Sequence, residues 1–150
     1  MPMSKFGPGT IVFDPQGTAA AFECQVKSGG VAHAYEEVQE AVNYLGAGCQ
    51  SAAVEERTDS LQFDIDHDLY SGGMYSFCLA NDLQAVEFEY TPDTATGTTT
   101  PASWSGSVIV KLPDGVQGDE VGSFLSGSVE WVQAVAGTGG NFTFTPAADA

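Results

Sequence analysis

Residues 64–90 read DIDHDLYSGGMYSFCLANDLQAVEFEY, and the fold turns on this stretch. Tyr70, Met74, Phe77 and Cys78 recur at spacings of three and four, which places their side chains on one helical face. Asp68 and Ser71 stand where an N-cap is wanted, because their side-chain oxygens can accept the orphan N–H groups of a first turn. Asn81 and Asp82 tolerate left-handed backbone and can end the helix. The spacing therefore predicts a helix over residues 70–81. Val86, Phe88 and Tyr90 then alternate with Ala85, Glu87 and Glu89, the period of a strand with one wet side. Thr91-Pro92-Asp93 closes that strand. One short helix packed on a sheet is the expectation.

The same period of two recurs on either side. Upstream, Leu61, Phe63 and Ile65 alternate with Gln62, Asp64 and Asp66 and lead into the helix. Thr10–Asp14 (TIVFD) is a short strand closed by Pro15-Gln16-Gly17. In FECQVK, residues 22–27, Phe22, Cys24 and Val26 form the dry side of a half-buried strand, and Ser28-Gly29-Gly30 turns the chain after it. Residues 31–45 carry two signals. Val38, Ala41, Val42 and Leu45 fit a helix, with Glu36 and Glu37 in its first turn and Gly46 past its end. Val31, His33 and Tyr35 instead begin in strand register. Downstream, Asp93–Ser103 has no apolar period and is expected to be an exposed loop. Trp104, Val108, Val110 and Leu112 line one face of the next strand, with Gly106 in place of a side chain. Residues 113–122 form a second loop, and Ser128–Val132 and Asn141–Thr145 are the last strands. The pattern describes a mainly β protein, a β-sandwich of about seven short strands with one flanking α-helix. A single domain spans residues 1–150, its ends 1–9 and 147–150 expected to be flexible.

Twenty acidic residues are set against Lys5, Lys27, Arg57 and Lys111, a net charge of −16. Such a surface repels phosphate, because nucleic-acid binding draws on Lys and Arg releasing counterions. Sequence-specific binding of DNA or RNA is therefore disfavoured, and so is an anionic membrane surface. No run of roughly 18–20 apolar residues offers a membrane span. MPMSKFGPGT, residues 1–10, lacks the apolar stretch of a secretory signal, so synthesis and folding in cytosol is the expectation. Cys24, Cys49 and Cys78 are odd in number and form no CxxC pair, which suits small core residues in a reducing compartment.

Candidate chemistry is thin. Asp64, Asp66 and Asp68 have the opening spacing of a calcium loop, but an EF-hand needs Gly at its sixth position and Glu at its twelfth. Leu69 and Tyr75 stand there, so the plainer reading is three acids on the wet face of one strand and its exit. His33 and His67 sit in no metal-ligand spacing and read as surface or interface imidazoles. No GxSxG elbow supports a Cys–His nucleophile. No GxGxxG opens a helix after a strand and GxxxxGK[ST] is missing, so nucleotide chemistry has no foothold. Glu87 and Glu89 share a face, and the solvated side of a strand accounts for them without an acid-pair role. Trp104 and Trp131 each lie on an apolar strand face, where core packing and an aromatic anchor at a subunit contact both fit. With no convergent catalytic, cofactor or metal site, the expectation is a protein that is not an enzyme.

The order of these elements resembles that of the major tail tube proteins of long, flexible-tailed (siphovirus-type) bacteriophages, particularly those of actinobacterial hosts. The likeness covers Phe22 to Pro146. An early FECQV strand is followed by a stretch ending in Leu45-Gly46. A polar-alternating strand leads into DLYSGGMYSFCLAND (68–82), and the helix leads directly into VEFEYTPD (86–93). WSGSVIVKLPDGVQGDEVG (104–122), SVEWV (128–132) and FTFTP (142–146) follow. The resemblance implies a phage tail-tube-like sandwich with a flanking helix, whose copies form rings, usually of six. Sheets of neighbouring subunits would join into a continuous inner barrel, and rings would stack around a channel that DNA crosses without specific binding. It also implies tape-measure and tail-terminator proteins as partners, a place in the virion tail, and assembly in the host bacterial cytoplasm.

The charge has a reason on this reading, since acids on a channel wall deny phosphate any counterion-release site. Glu87, Glu89, Asp64 and Asp66 are the candidate channel-facing acids. Thr94, Thr98, Thr99, Thr100 and Pro101 belong to a candidate inter-subunit loop, expected to be mobile in the free subunit. Two other classes compete. One is a capsid decoration or head–tail joining protein, the other a β-sandwich binding module that does not assemble.

Overall fold

Alternating apolar and polar residues build two antiparallel sheets that face each other. A computed structural model of the chain describes residues 3–14, 17, 19–46, 48–96 and 98–149. Among these residues the elements run β1 (Thr10–Phe13), β2 (Ala20–Ala21), β3 (Val26–Gln39), β4 (Val54–Asp66), α1 (Met74–Ala80) and β5 (Ala85–Thr91). Then come β6 (Thr98–Thr100), β7 (Ser103–Ile109), β8 (Ser126–Val132), β9 (Thr143–Thr145) and β10 (Ala148–Asp149). One sheet has the order β2-β1-β5-β7-β9 and the other β3-β4-β8, while β6 pairs with β10 apart from both.

The core lies between the two sheets. Ile11, Phe13, Val86, Phe88, Tyr90 and Val108 from one sheet meet Leu61, Phe63, Ile65, Val129 and Trp131 from the other, and all are buried. Phe63 meets Tyr90 edge-on with ring centroids 5.5 Å apart, and Phe13 meets Trp131 at 5.1 Å. Such edge-on pairs set the ring edge against the electron-rich face of the partner. Trp131 Nε1 donates to the Lys111 carbonyl at 2.8 Å, so the largest core side chain buries no orphan donor. Trp104 is half-buried between Tyr90 and Phe144. Core packing therefore accounts for both tryptophans. At Gly106 a Cβ would come within 2.9 Å of the Phe142 ring, and Phe142 and Phe88 meet at 4.7 Å over the bare backbone. Helix α1 closes one flank, burying Met74 and Cys78 and laying Phe77 against Phe13 and Phe22.

Several expectations are corrected. The helix is Met74–Ala80, shorter than 70–81, and Tyr70 is exposed outside it. Asp68 and Ser71 do not cap it: Asp68 Oδ1 accepts from Tyr70 N, and Gln25 Oε1 reaches over from another turn to accept from Met74 N. Asn81 caps the far end through Phe77 O without left-handed geometry, which falls instead to Leu83 at φ 63°. Residues 22–25 form a turn rather than a strand, and Cys24 is exposed. Ser28-Gly29-Gly30 does not turn the chain but continues β3.

The double signal of residues 31–45 resolves as extended chain to Gln39. β3 and β4 are 14 and 13 residues long, so the strands are not all short. Backbone bonds reach into the described parts of both end segments. Lys5 N donates to Asp93 Oδ2 at 2.8 Å and Gly7 N to Pro92 O at 2.7 Å, while Ala148 and Asp149 pair with Thr100 and Thr98.

Candidate functional site

The four candidate acids form two pairs on opposite outer faces of the sandwich. Phe88 and Tyr90 point inward from β5, so Glu87 and Glu89 point out of the five-stranded sheet, and both are exposed. Glu87 lies beside Ser107, and Glu89 lies between Val12 and Ser105. Phe63 and Ile65 point inward from β4, so Asp64 and Asp66 point out of the three-stranded sheet. Asp64 accepts hydroxyl bonds from Ser128 at 2.5 Å and Ser28 at 3.0 Å, which hold its carboxyl below the usual value. Asp66 pairs with Lys27 at 3.0 Å. Within one chain the candidate acids are thus divided between two outward faces, Glu87 and Glu89 on one and Asp64 and Asp66 on the other. Among the described residues no three His, Cys, Asp or Glu side chains are grouped to hold a metal. Among the described residues no helix is long and apolar enough to cross a membrane, which says nothing of a β-barrel.

The segment that carries the candidate inter-subunit loop begins at an organised turn. Asp93 is buried, and its Oδ1 accepts from Ala95 N and Thr96 N, so the chain wraps around one carboxylate. These bonds, with those from Thr96 and Lys5 foremost, hold Asp93 well below the carboxylate range. Thr94 is tied through N and Oγ1 to the Pro8 carbonyl. Thr98–Thr100 form β6, Thr100 is exposed and Pro101 half-buried.

A feature that the sequence reading did not single out is an arm. β8 pairs with β4 from Ser60 to Asp66 and Gln133 still bonds the Asp59 backbone, so among the described residues, 54–58 have β3 alone as a ladder partner. The ribbon continues to Val42 and Ser51, whose backbones bond to each other in both directions. Tyr35, Val38, Val42, Tyr44, Leu45 and Val54 are all exposed along it. Glu36 faces Glu56 and Glu37 faces Glu55, like charges directly across the ladder. Opposed like charges destabilise a strand pair, and an isolated two-stranded ribbon is marginal in water. The signal in the sequence was present but ambiguous, because apolar residues that cover nothing are free to mimic a helical period.

At the root of the arm lies a buried carboxylate. Asp59 shares the inward parity of Leu61 and Phe63 and is 0% exposed. Its Oδ1 lies 2.5 Å from His33 Nδ1, and its Oδ2 accepts from Phe142 N at 2.9 Å and from Arg57 Nη2 at 3.2 Å. Arg57 Nε stands 3.0 Å from Oδ1 as a charge contact without an aligned hydrogen bond. Burial pushes the Asp59 carboxyl up, but the His33 bond, the Phe142 N–H and the neighbouring positive charge together bring it below its ordinary value. His33 is thus a partner of this carboxylate. His67 Nε2 lies 2.8 Å from the Gly115 carbonyl oxygen, with its ring edge-on to Tyr75.

The sequence matches no protein-family model and no curated protein.

Proposed function

We propose that this chain is a self-assembling structural subunit, the tail tube protein of a long-tailed bacteriophage. On this reading its rings stack into a conduit for DNA in the virion tail, with tape-measure and tail-terminator proteins as further partners. The observation that carries the assembly part is the arm. It exposes apolar side chains that the rest of the chain leaves uncovered, on a ribbon whose opposed glutamates make it a poor free-standing element.

A second apolar surface lies at the other end of β4. Leu69 and Tyr70 follow directly after that strand and are exposed, as are Val121 and Phe124 in the loop that His67 N anchors through Leu125 O. Sticky surfaces at two different ends favour head-to-tail contacts, which generate rings or open stacks rather than closed pairs. The outer face of the five-stranded sheet supports the conduit part. It presents Glu87 and Glu89 with Ser105 and Ser107, and none of the four cationic residues lies on its strands. Asp64 and Asp66 then face away from the channel.

Electron microscopy of concentrated protein, beside a Tyr44→Ser/Leu45→Ser variant, tests this reading. Wild type forms rings or hollow tubes. The variant keeps its stability within about 0.5 kcal/mol, because both side chains are exposed, yet assembles poorly. Small discrete oligomers would favour a decoration or joining protein, and a monomer at every concentration would favour a binding module.

A further inference from the structure

We propose that the Asp59 carboxylate is the pin that fixes the direction of the arm relative to the sandwich. The consequence for tube formation rests on the reading above, while the pin itself does not. The β8 ladder supports β4 as far as Ser60, opposite Val132, and Asp59, bonded to Gln133 just past β8, is the last residue held from that side. It therefore occupies the joint about which the ribbon could swing. Two-stranded ribbons twist strongly and are marginal on their own, so contacts at the root help set the direction of this one.

The carboxylate bridges that joint. On the arm side it contacts Arg57, two residues further along β4, and His33, its cross-strand partner on β3. On the body side it accepts the Phe142 N–H, from the segment entering β9 in the opposite sheet. Gln133 backs the joint. Its Oε1 accepts from Asp59 N at 2.7 Å, its N donates to Asp59 O at 2.9 Å, and its Nε2 donates to Val135 O and Gly137 O.

Because Asp59 is fully buried, these are charge-assisted contacts that salt screens little. An apolar side chain of similar volume could fill the site without the cost of burying a charge. What the carboxylate adds is a directional link between two elements that no ladder joins.

The chain carries its own probes for a test. Cys49 lies near the arm tip and Cys24 on the body turn before β3, both exposed, whereas Cys78 is buried. Spin labels on Cys24 and Cys49 report the arm's direction as a distance distribution in dilute, full-length protein. Wild type should give one narrow peak. Asp59→Asn and Arg57→Gln should about double its width, as expected when a fixed joint becomes a hinge. Arg57→Gln cuts only the arm side, so the body keeps its bonds to Asp59, and circular dichroism checks that each variant is folded. A broad wild-type distribution, or equal widths in wild type and folded variants, overturns the pin. Sedimentation of concentrated samples separates the two ideas. A wild type that stays monomeric sinks the tube reading and leaves the distance result standing. If the pin serves assembly, both variants should need about tenfold more protein to assemble, since a state that is seldom populated weakens apparent affinity in proportion.

Discussion

Gly29 lets β3 continue where its sequence suggested a turn. Its φ of +118° is one that residues with a side chain rarely adopt, and a Cβ there would collide with the Gln62 carbonyl on the paired strand. Gly72, by contrast, has ordinary φ and open space around it. Gly29→Ala should therefore cost about 2 kcal/mol or more, through strain and a parted β3–β4 ladder. Gly72→Ala should stay within about 0.5 kcal/mol. Denaturant midpoints of the two variants check both numbers, and equal midpoints would mean that the ladder yields at Gly29 without penalty.

At the scale of elements, buried carboxylates organise what periodicity cannot. Asp93 gathers the 93–96 turn and the N-terminal segment, and Asp59 gathers the arm root. Both carboxyls lie below their ordinary value of 3.8. A depressed native pKa means that the unfolded chain binds protons more readily on acidification. The stabilisation is thus fully present above the unfolded value and is lost as pH falls through the folded one. Asp93→Asn should destabilise the protein at pH 7, and its deficit relative to wild type should shrink progressively below pH 4. Chemical denaturation at a series of pH values measures this. A deficit independent of pH would assign the loss to shape rather than charge.

The whole molecule carries −16, so copies repel one another, and the arm adds opposed glutamates of its own. Screening with a Debye length of about 8 Å at physiological ionic strength should relieve much of this. Assembly should accordingly be promoted by added salt, the reverse of a complex held by opposite charges, and light scattering against salt concentration would show it. Exchanging Glu87 and Glu89 for Lys should alter stability by no more than about 0.5 kcal/mol, since both face water. On the conduit reading the same exchange turns the wall into a phosphate-binding surface. Assembled variant, unlike wild type, should then retain duplex DNA at low salt and release it at high salt. Tubes that ignore DNA in both forms would place these glutamates away from the channel.

Val86, Phe88 and Tyr90, and likewise Leu61, Phe63 and Ile65, could be read as strand faces from the chain alone. A period of two reports which side is dry whatever the partner, and the mainly β sandwich with one helix followed from it. Asp59 also had a local signal, its inward parity with Leu61, although nothing nearby in sequence announced His33, Gln133 or Phe142 as its partners. Three things were settled only by contacts distant in sequence. Gln25 set the start of the helix by reaching Met74. The pairing of β3 with β4 settled residues 31–39, where apolar side chains left uncovered impose no period of their own. The order of strands in the two sheets put Glu87 and Glu89 on one outer face and Asp64 and Asp66 on the other. Local pattern depends on neighbours along the chain, whereas the outward direction of a face depends on which sheet lies behind it.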